Sequence, residues 1–392
     1  MSTLKVNTIR HTGASSDAVT LASDGTCTAK ITNNLSNRNL IINGSCIVAQ
    51  RSSSPVTDDA YRTVDRFRID YSGADNHPTQ AQHELTSSDT GPWEKGFRFS
   101  YHLTNGDQTS GAGTGDFMAI DTRLESRDIA NSGWNYTSAS SYITLSFWVK
   151  SSVAQNFYGQ VESDDGTAQN YPFETGSLSA NTWTKVTKTI PGNSNLTFFN
   201  NEGLGLKITL WAFAGTNLTG SVSLNTWAAY SASTRTPDNT STWWTTNDAT
   251  LEITGVQLEV GDVATDFEHR SYGDELARCQ RYYQQIGATG QDGSYTISAG
   301  YLYDNGNKIA VGYAPPVSFR TTPTMTNGST TLQAKTPGAG TENVTSYNFI
   351  EVVEPSTWIA ISGVSGGDLG NDHDICLWTC PSNGLVQMSA EL

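Results

Sequence analysis

The stretch Leu251-Glu-Ile-Thr-Gly-Val-Gln-Leu-Glu-Val260 decides the fold class of this chain. Leu251 and Ile253 share one face, while Val256, Leu258 and Val260 keep alternate positions, the period-two signature of a strand. The phase slips once at Gly255, where a residue without Cβ suits a bulge. Four other stretches alternate in the same way. Ile143, Leu145, Phe147 and Val149 oppose Thr144, Ser146, Trp148 and Lys150; Leu204, Leu206, Ile208 and Leu210 oppose Lys207, Thr209 and Trp211. Phe97, Phe99 and Tyr101 stand against Arg98 and Ser100, and Trp183 to Ile190 alternates until Pro191-Gly192 stops it. Strands so evenly patterned, separated by polar loops, call for two packed antiparallel sheets, an all-β sandwich.

Composition agrees. Only 16% of the 392 residues are charged, and Gly, Ser, Thr and Asn, the turn formers, are abundant. The formal net charge of −15, from 38 acidic and 23 basic side chains, repels nucleic acid and anionic membranes. No apolar run long enough for a membrane span or a signal peptide is present, so no membrane insertion is expected. Five scattered cysteines, Cys27, Cys46, Cys279, Cys376 and Cys380, do not make a disulfide framework and are expected as free thiols.

Four segments follow from the pattern. Residues 1–38 alternate weakly through Leu4, Val6 and Thr8, then Val19 and Leu21, with Asp24-Gly25 as a hairpin turn. Strands this short cannot bury a core alone, so this segment reads as a stem that docks on a neighbour or on copies of itself. Residues 39–270 form the sandwich. Residues 271–289 form a helical connector, with Ser271 or Asp274 as cap and Leu276, Cys279 and Tyr283 on one stripe over 271–286. Residues 290–392 resume the β pattern as a smaller C-terminal β domain.

The order of several short pieces then resembles a known family. Asn43-Gly44, Ala49-Gln50-Arg51 and Val64-Asp65-Arg66-Phe67, followed by Leu145-Ser-Phe-Trp-Val-Lys150, Asn181-Thr-Trp183, Gly205-Leu-Lys207 and Asn225-Thr-Trp227, are similar to a jelly-roll domain of bacteriophage tail-fibre proteins. Gln257-Leu258-Glu259-Val260 and Phe267-Glu268-His269-Arg270 resemble the closing signature of that domain, and Leu4-Lys-Val-Asn-Thr-Ile9 resembles the starts of marine and cyanobacterial phage fibres. The resemblance implies a virion protein, built as a homotrimer, attached to other virion proteins through residues 1–38. Its jelly roll would resemble carbohydrate-binding modules and meet host cell-surface glycan. Cys46 and Ser52 depart from that pattern around the Gln-Arg pair, and the loop 230–248 matches nothing in it.

Sugar rings stack on aromatic faces, which makes loop aromatics the candidate glycan ligands: Trp243, Trp244, Tyr230, Trp134 and Tyr136. The alternative is that each plugs an open end of the sandwich or packs on another subunit. Trp227 belongs to the structural reading. Trp243 and Trp244 are favoured for binding, because strand neighbours point oppositely and one of them should then be exposed. Trp148 and Trp211, on outward phases, are platform candidates for which burial competes. No catalytic residues are assigned. The Asp116, Asp121 and Glu125 group suits a glycosidase only if two carboxylates stand about 5 to 10 Å apart. No cofactor is expected, though carbohydrate-binding jelly rolls admit a structural calcium, for which Glu259 and Asp262 offer hard oxygens. Asp372-His373-Asp374 with Cys376 and Cys380 lacks the usual zinc spacing. The expected role is therefore a non-enzymatic virion fibre recognising host glycan. A purely structural capsid or neck appendage, or a polysaccharide depolymerase, stand as alternatives.

Overall fold

The computed structural model describes residues 5–15, 17–29, 37–287, 295–304, 307–327, 332–336, 340–354, 357–364, 370, 374–380 and 385–392. At the leading end β1 (Thr8–Ile9), β2 (Val19–Leu21) and β3 (Cys27–Ala29) form a three-stranded antiparallel sheet. Asp24-Gly25 makes the β2–β3 turn, with Gly25 at φ 87 and the Asp24 carboxylate accepting the Thr26 N–H at 2.9 Å. Val6, Ile9 and Leu21 remain exposed on these ribbons.

The sandwich comprises β4 (Phe67–Ser72), β5 (Thr79–Glu84), β6 (Phe99–Thr104), β7 (Phe117–Glu125), β8 (Tyr142–Ser151), β9 (Asn156–Ser163), β10 (Gln169–Ser177), β11 (Thr184–Pro191), β12 (Leu204–Ala214), β13 (Ala228–Ala229) and β14 (Thr250–Val260), with helix α1 (Ser126–Ala130) after β7. One sheet runs β13-β10-β9-β12-β7-β4 and the other β11-β8-β14-β6-β5. The antiparallel pairs nest: β9 with β10, β8 with β11, β7 with β12, and β6 with β14. A single long ribbon, folded at β9–β10 and rolled so that successive pairs fall on alternate sheets, has this order, which is a jelly roll.

Between the sheets, Tyr101, Leu103, Leu145, Phe147, Val149, Leu251 and Ile253 face Ile69, Ile120, Val161, Phe173, Leu206, Ile208 and Leu210. These are the inward phases of the sequence pattern, with one exception. Phe97 precedes β6 and leaves the stripe it was assigned, joining Leu85 and Trp183 on the outer side of the five-stranded sheet. The expected bulge is at Gly255, where the β14–β8 register shifts between Thr254 and Gln257 and φ is +62. A Cβ there would sit 2.6 Å from the Phe97 ring, so close approach and backbone both require glycine.

Helix α2 (Tyr272–Gln280) is capped by Ser271, whose hydroxyl accepts the Asp274 N–H at 3.2 Å. It is shorter than the expected span to residue 286. Its buried side chains are Glu275 and Cys279, not Leu276, and Tyr283 opens a strand. Glu275 turns inward because its carboxylate holds the Asn43 N–H and Arg270. The C-terminal strands are β15 (Tyr283–Gly287), β16 (Tyr295–Tyr303), β17 (Lys308–Tyr313), β18 (Thr324–Asn327), β19 (Gln333–Thr336), β20 (Gly340–Glu354), β21 (Thr357–Val364), β22 (Ile375–Cys380) and β23 (Leu385–Ser389). Six close a barrel, β16-β17-β21-β20-β19-β22, while β15-β23-β18 form a separate sheet. Among the described residues no helix is long and apolar enough to cross a membrane, and Cys27, Cys46, Cys279 and Cys376 are free thiols.

The chain's last residues return to the sandwich. The Glu391 carboxylate pairs with Arg66 and, at 3.1 Å, with Arg51; Arg123 donates to the Leu392 carbonyl at 2.8 Å. Arg66 and Arg51 lie 3.5 and 3.6 Å above the rings of Tyr282 and Tyr283, at the start of β15. Burial pushes the nearby Asp65 carboxyl up to about 6, against the pull of Arg51. This buried joint ties sandwich, helix and C-terminal sheet together.

Candidate functional site

The outer side of the five-stranded sheet carries the outward phases of its strands. Lys185 faces Trp148, which faces Thr254; Lys150 faces Glu252, which faces His102. Two segments lie across these residues, the one from Leu85 to Phe97 and the one following β14. Phe97 packs edge-on against Phe267 at 4.8 Å and tilts against His269 at 5.0 Å. Between these segments opens a cleft of about 330 Å³, lined by Trp148, Phe97 and Phe267 with Lys185, Glu94, Lys95, Asp266 and His269. Trp148 is half-buried, and Gly91 lies against one edge of its ring. An apolar ring flanked by two cations, two carboxylates and an imidazole is suited to a polyol: the ring takes C–H faces and the rim takes hydroxyls. Two other clefts of similar volume have no aromatic ring in their linings, one around Asn37, Arg127 and Arg278 and one around Asn170, Ser221 and Thr234.

Beside this cleft is a buried charge cluster on the same face. Glu252 Oε2 accepts from Ser100 Oγ at 2.8 Å and lies 3.0 Å from His83 Nδ1 and 3.5 Å from His102 Nδ1. Its Oε1 is 2.9 Å from Lys150 Nζ, which also reaches Asp89 Oδ1 at 3.0 Å, where the Trp183 indole N–H donates at 2.9 Å. Burial would raise the Glu252 carboxyl, but the two imidazoles and the ammonium hold it well below the usual range. Asp89 is likewise lowered to about 2, where the Thr86 N–H, the indole and Lys150 outweigh burial. The Glu252 hydrogen bond raises His83.

The residues that sequence favoured for binding lie elsewhere. Trp243 and Trp244 are both 0% exposed, a correction to the expectation that one would be free. Ser241 to Thr245 form a turn, with the Thr245 N–H on the Ser241 carbonyl, so strand alternation does not apply there. The Trp243 indole donates to the Thr250 carbonyl at 3.0 Å and the Trp244 indole to the Gly111 carbonyl at 2.8 Å. Trp244 packs 5.2 Å from Phe213. Trp134 is also buried, its ring packed with those of Tyr136 and Phe198 against the main core. Tyr136 and Tyr230 are half-buried and enter no common site, Tyr230 lying under Arg235. Trp227 is buried on Tyr171, and Trp211 is buried beneath Phe117 and Arg235.

The acidic candidates are engaged. Asp121 pairs with Arg68 and Arg123, Glu125 with Arg281 and Tyr282, and Asp116 accepts the Gly113 N–H. The Glu259 carboxylate is occupied by the Thr265 N–H and hydroxyl and the Gln257 amide, so a calcium there would displace three donors. Asp262 is exposed and its backbone carbonyl accepts from Thr189. Asp372 and His373 lie outside the described residues. Sequence reasoning placed Trp148 and Lys150 on outward phases but missed their partners. Register between strands far apart in sequence, which brings His83, His102 and Glu252 together, leaves no local spacing to find.

No protein-family model and no curated protein matches the chain. Solved structures similar to it include the enzymatically active domain of tailspike protein 4 from bacteriophage CBA120, at 10% identity and a TM-score of 0.30, covering 57% of this chain and 21% of that one. A putative sugar binding protein from Bacteroides thetaiotaomicron VPI-5482 matches at 12% identity and a TM-score of 0.28, over 57% of this chain and 100% of the other. A family 11 carbohydrate-binding module from Clostridium thermocellum, in complex with a β-1,3-1,4-mixed-linked tetrasaccharide, matches at 9% identity and a TM-score of 0.24, over 55% and 98%. The chain thus spans about a fifth of the tailspike domain's length.

Proposed function

We propose that this chain is a non-enzymatic structural protein of a virus particle that binds host-surface glycan in the Trp148 cleft. The observation that carries the reading is the partly exposed ring of Trp148 in a cleft also lined by Lys185, Lys95, Glu94, Asp266 and His269. The motif order of residues 39–270 supports a phage fibre. The exposed Val6, Ile9 and Leu21 support attachment through residues 1–38, where a small sheet leaves its apolar side chains for neighbouring copies or virion proteins to cover. A homotrimer fits this arrangement, because weak shallow sites gain avidity when several are displayed together. The test is retention of the purified chain on host polysaccharide in affinity electrophoresis. Trp148→Ala and Lys185→Ala should abolish retardation while leaving the melting temperature of the chain near its original value. Unchanged retardation in both variants refutes the cleft. The burial of Trp134, Trp243 and Trp244 favours a second reading, a structural appendage without receptor role, which predicts no retardation by any host glycan.

A further inference from the structure

We propose that His83, His102 and Glu252 form a zinc-binding site on the outer face of the five-stranded sheet. The three ligand atoms lie within 4.8 Å of one another, each from a different strand, β5, β6 and β14. Glu252 Oε2 is 3.0 and 3.5 Å from the two Nδ1 atoms. Those two separations bracket the edge of a tetrahedron with bonds of about 2.0 to 2.1 Å, roughly 3.3 Å. The third side, between the imidazoles and within 4.8 Å, reaches the same edge when the 46% exposed His83 ring swings inward. Two imidazoles and a carboxylate are the donor set of a borderline divalent ion, and hard calcium or magnesium would not choose it.

Three further features belong to a built site. His102 Nδ1 is buried and makes no hydrogen bond of good geometry, facing Glu252 Oε2 at 3.5 Å, and in the Nε2–H tautomer a cation between the two would satisfy its lone pair. Lys150 holds Oε1 and Ser100 holds Oε2, fixing the carboxylate as outer-shell donors do around metal-bound carboxylates. The His83 side chain is 46% exposed, leaving an entry path and a fourth position open to water or an incoming ligand. The competing account is a metal-free network in which a protonated His83 simply pairs with Glu252.

Isothermal titration of zinc into the chelator-stripped full-length chain separates the two, with cobalt absorption in the visible as a report of tetrahedral geometry. The expected result is one zinc per chain, a tetrahedral cobalt band, and a melting temperature raised by zinc. His83→Ala and His102→Ala should each weaken binding by about 100-fold or more, since losing even an outer-shell partner costs about 10- to 100-fold. His373→Ala, which alters the histidine of the Asp372-His373-Asp374 run, should leave binding unchanged. Absence of zinc binding by the parent chain overturns the proposal, as does binding that survives both His83→Ala and His102→Ala or is lost with His373→Ala. His83 is half-exposed at the outer face, where it meets Glu252 and the His102 ring, so its replacement removes no buried apolar side chain and keeps the test readable if His102→Ala fails to fold.

Discussion

Glu391→Gln, second from the end of the chain, should cost far more than a terminal substitution ordinarily does. The Arg66 side chain is 1% exposed, and its remaining partners are the Arg123 carbonyl at 2.5 Å and the face of Tyr282. Removing the carboxylate charge leaves a buried guanidinium without its counter-ion, which costs about 3 to 5 kcal/mol in comparable pairs. The lower end applies here, because Arg51 keeps Asp65 at 3.6 Å and Gln keeps the shape of the glutamate. About 3 kcal/mol is a shift of roughly a hundredfold in the closed-to-open ratio of the joint. Urea unfolding followed by tryptophan fluorescence, with limited proteolysis between residues 281 and 295, should show the C-terminal strands separating before the sandwich melts. Arg66→Met with Glu391→Leu should recover most of the loss, since paired apolar residues need no desolvation of charge. A Glu391→Gln variant within about 0.5 kcal/mol of the parent, the range of an ordinary surface change, would refute the claim that this ion pair closes the joint.

The same site holds backbone strain. Arg66 adopts φ +69, so Arg66→Gly should be more stable than Arg66→Ala by about 1 kcal/mol in denaturant melts, although both lose the ion pair. Gly255→Ala should destabilise by about 2 to 4 kcal/mol, from a left-handed backbone and the clash with the Phe97 ring. Adding Phe97→Leu should return part of that loss, a favourable coupling readable from a double-mutant cycle. Trp244→Ala removes a fully buried indole bonded to Gly111 and should cost about 3 to 5 kcal/mol in unfolding experiments, with glycan retention unchanged in whatever fraction stays folded. For the metal-free chain, the raised pKa of His83 gives stability that is complete below the ordinary histidine value and fades as pH rises through the folded-state value. The lowered Glu252 carboxyl acts oppositely, its contribution being present above the ordinary glutamate value and lost as pH falls. Melting temperature should therefore peak between these limits, and His83→Ala should flatten the alkaline side.

The strands were legible because the inner phase of a sandwich must be apolar at every second residue. Leu145, Phe147 and Val149 meet Val186 and Ile190 and the β14 stripe as the pattern requires. Gly255 was legible for the same reason, since a lost step in alternation demands an extra residue and glycine alone fits beside Phe97. Trp243 and Trp244 were misread because alternation was applied to a turn, where consecutive side chains can both turn inward. The helix end at Gln280 was missed because Tyr282 and Tyr283 continue a helical spacing while answering to Arg66 and Arg51, contacts across more than 200 residues. The candidate site was half legible. Outward phases named Trp148 and Lys150, whereas the segments that lie over them come from loops with no periodicity at all.

Several of the motif residues quoted from the sequence, at the opening and the close of the sandwich, have a structural reason in this arrangement. Asn43 holds the Val48 and Asp65 carbonyls, Gln50 holds Asp65 and the Tyr283 carbonyl, and Arg51 and Arg66 stack on the tyrosines that open β15. From the closing signature, Glu268 accepts the Asn39 N–H, and Arg270 binds the Ile41 carbonyl, Glu268 and Glu275. Opening and closing motifs thus meet at one seam, where the two ends of the jelly roll, α2 and the C-terminal sheet are locked by buried polar contacts. Such contacts tolerate few substitutions, because one unpaired member costs more than an exposed pair is worth. They hold the sandwich, α2 and the C-terminal sheet in a fixed relation. The Trp148 cleft shares the Phe267-to-Arg270 segment with that seam: Phe267 and His269 line the cleft while Glu268 and Arg270 hold the seam, so a change that loosens the seam also moves one wall of the cleft.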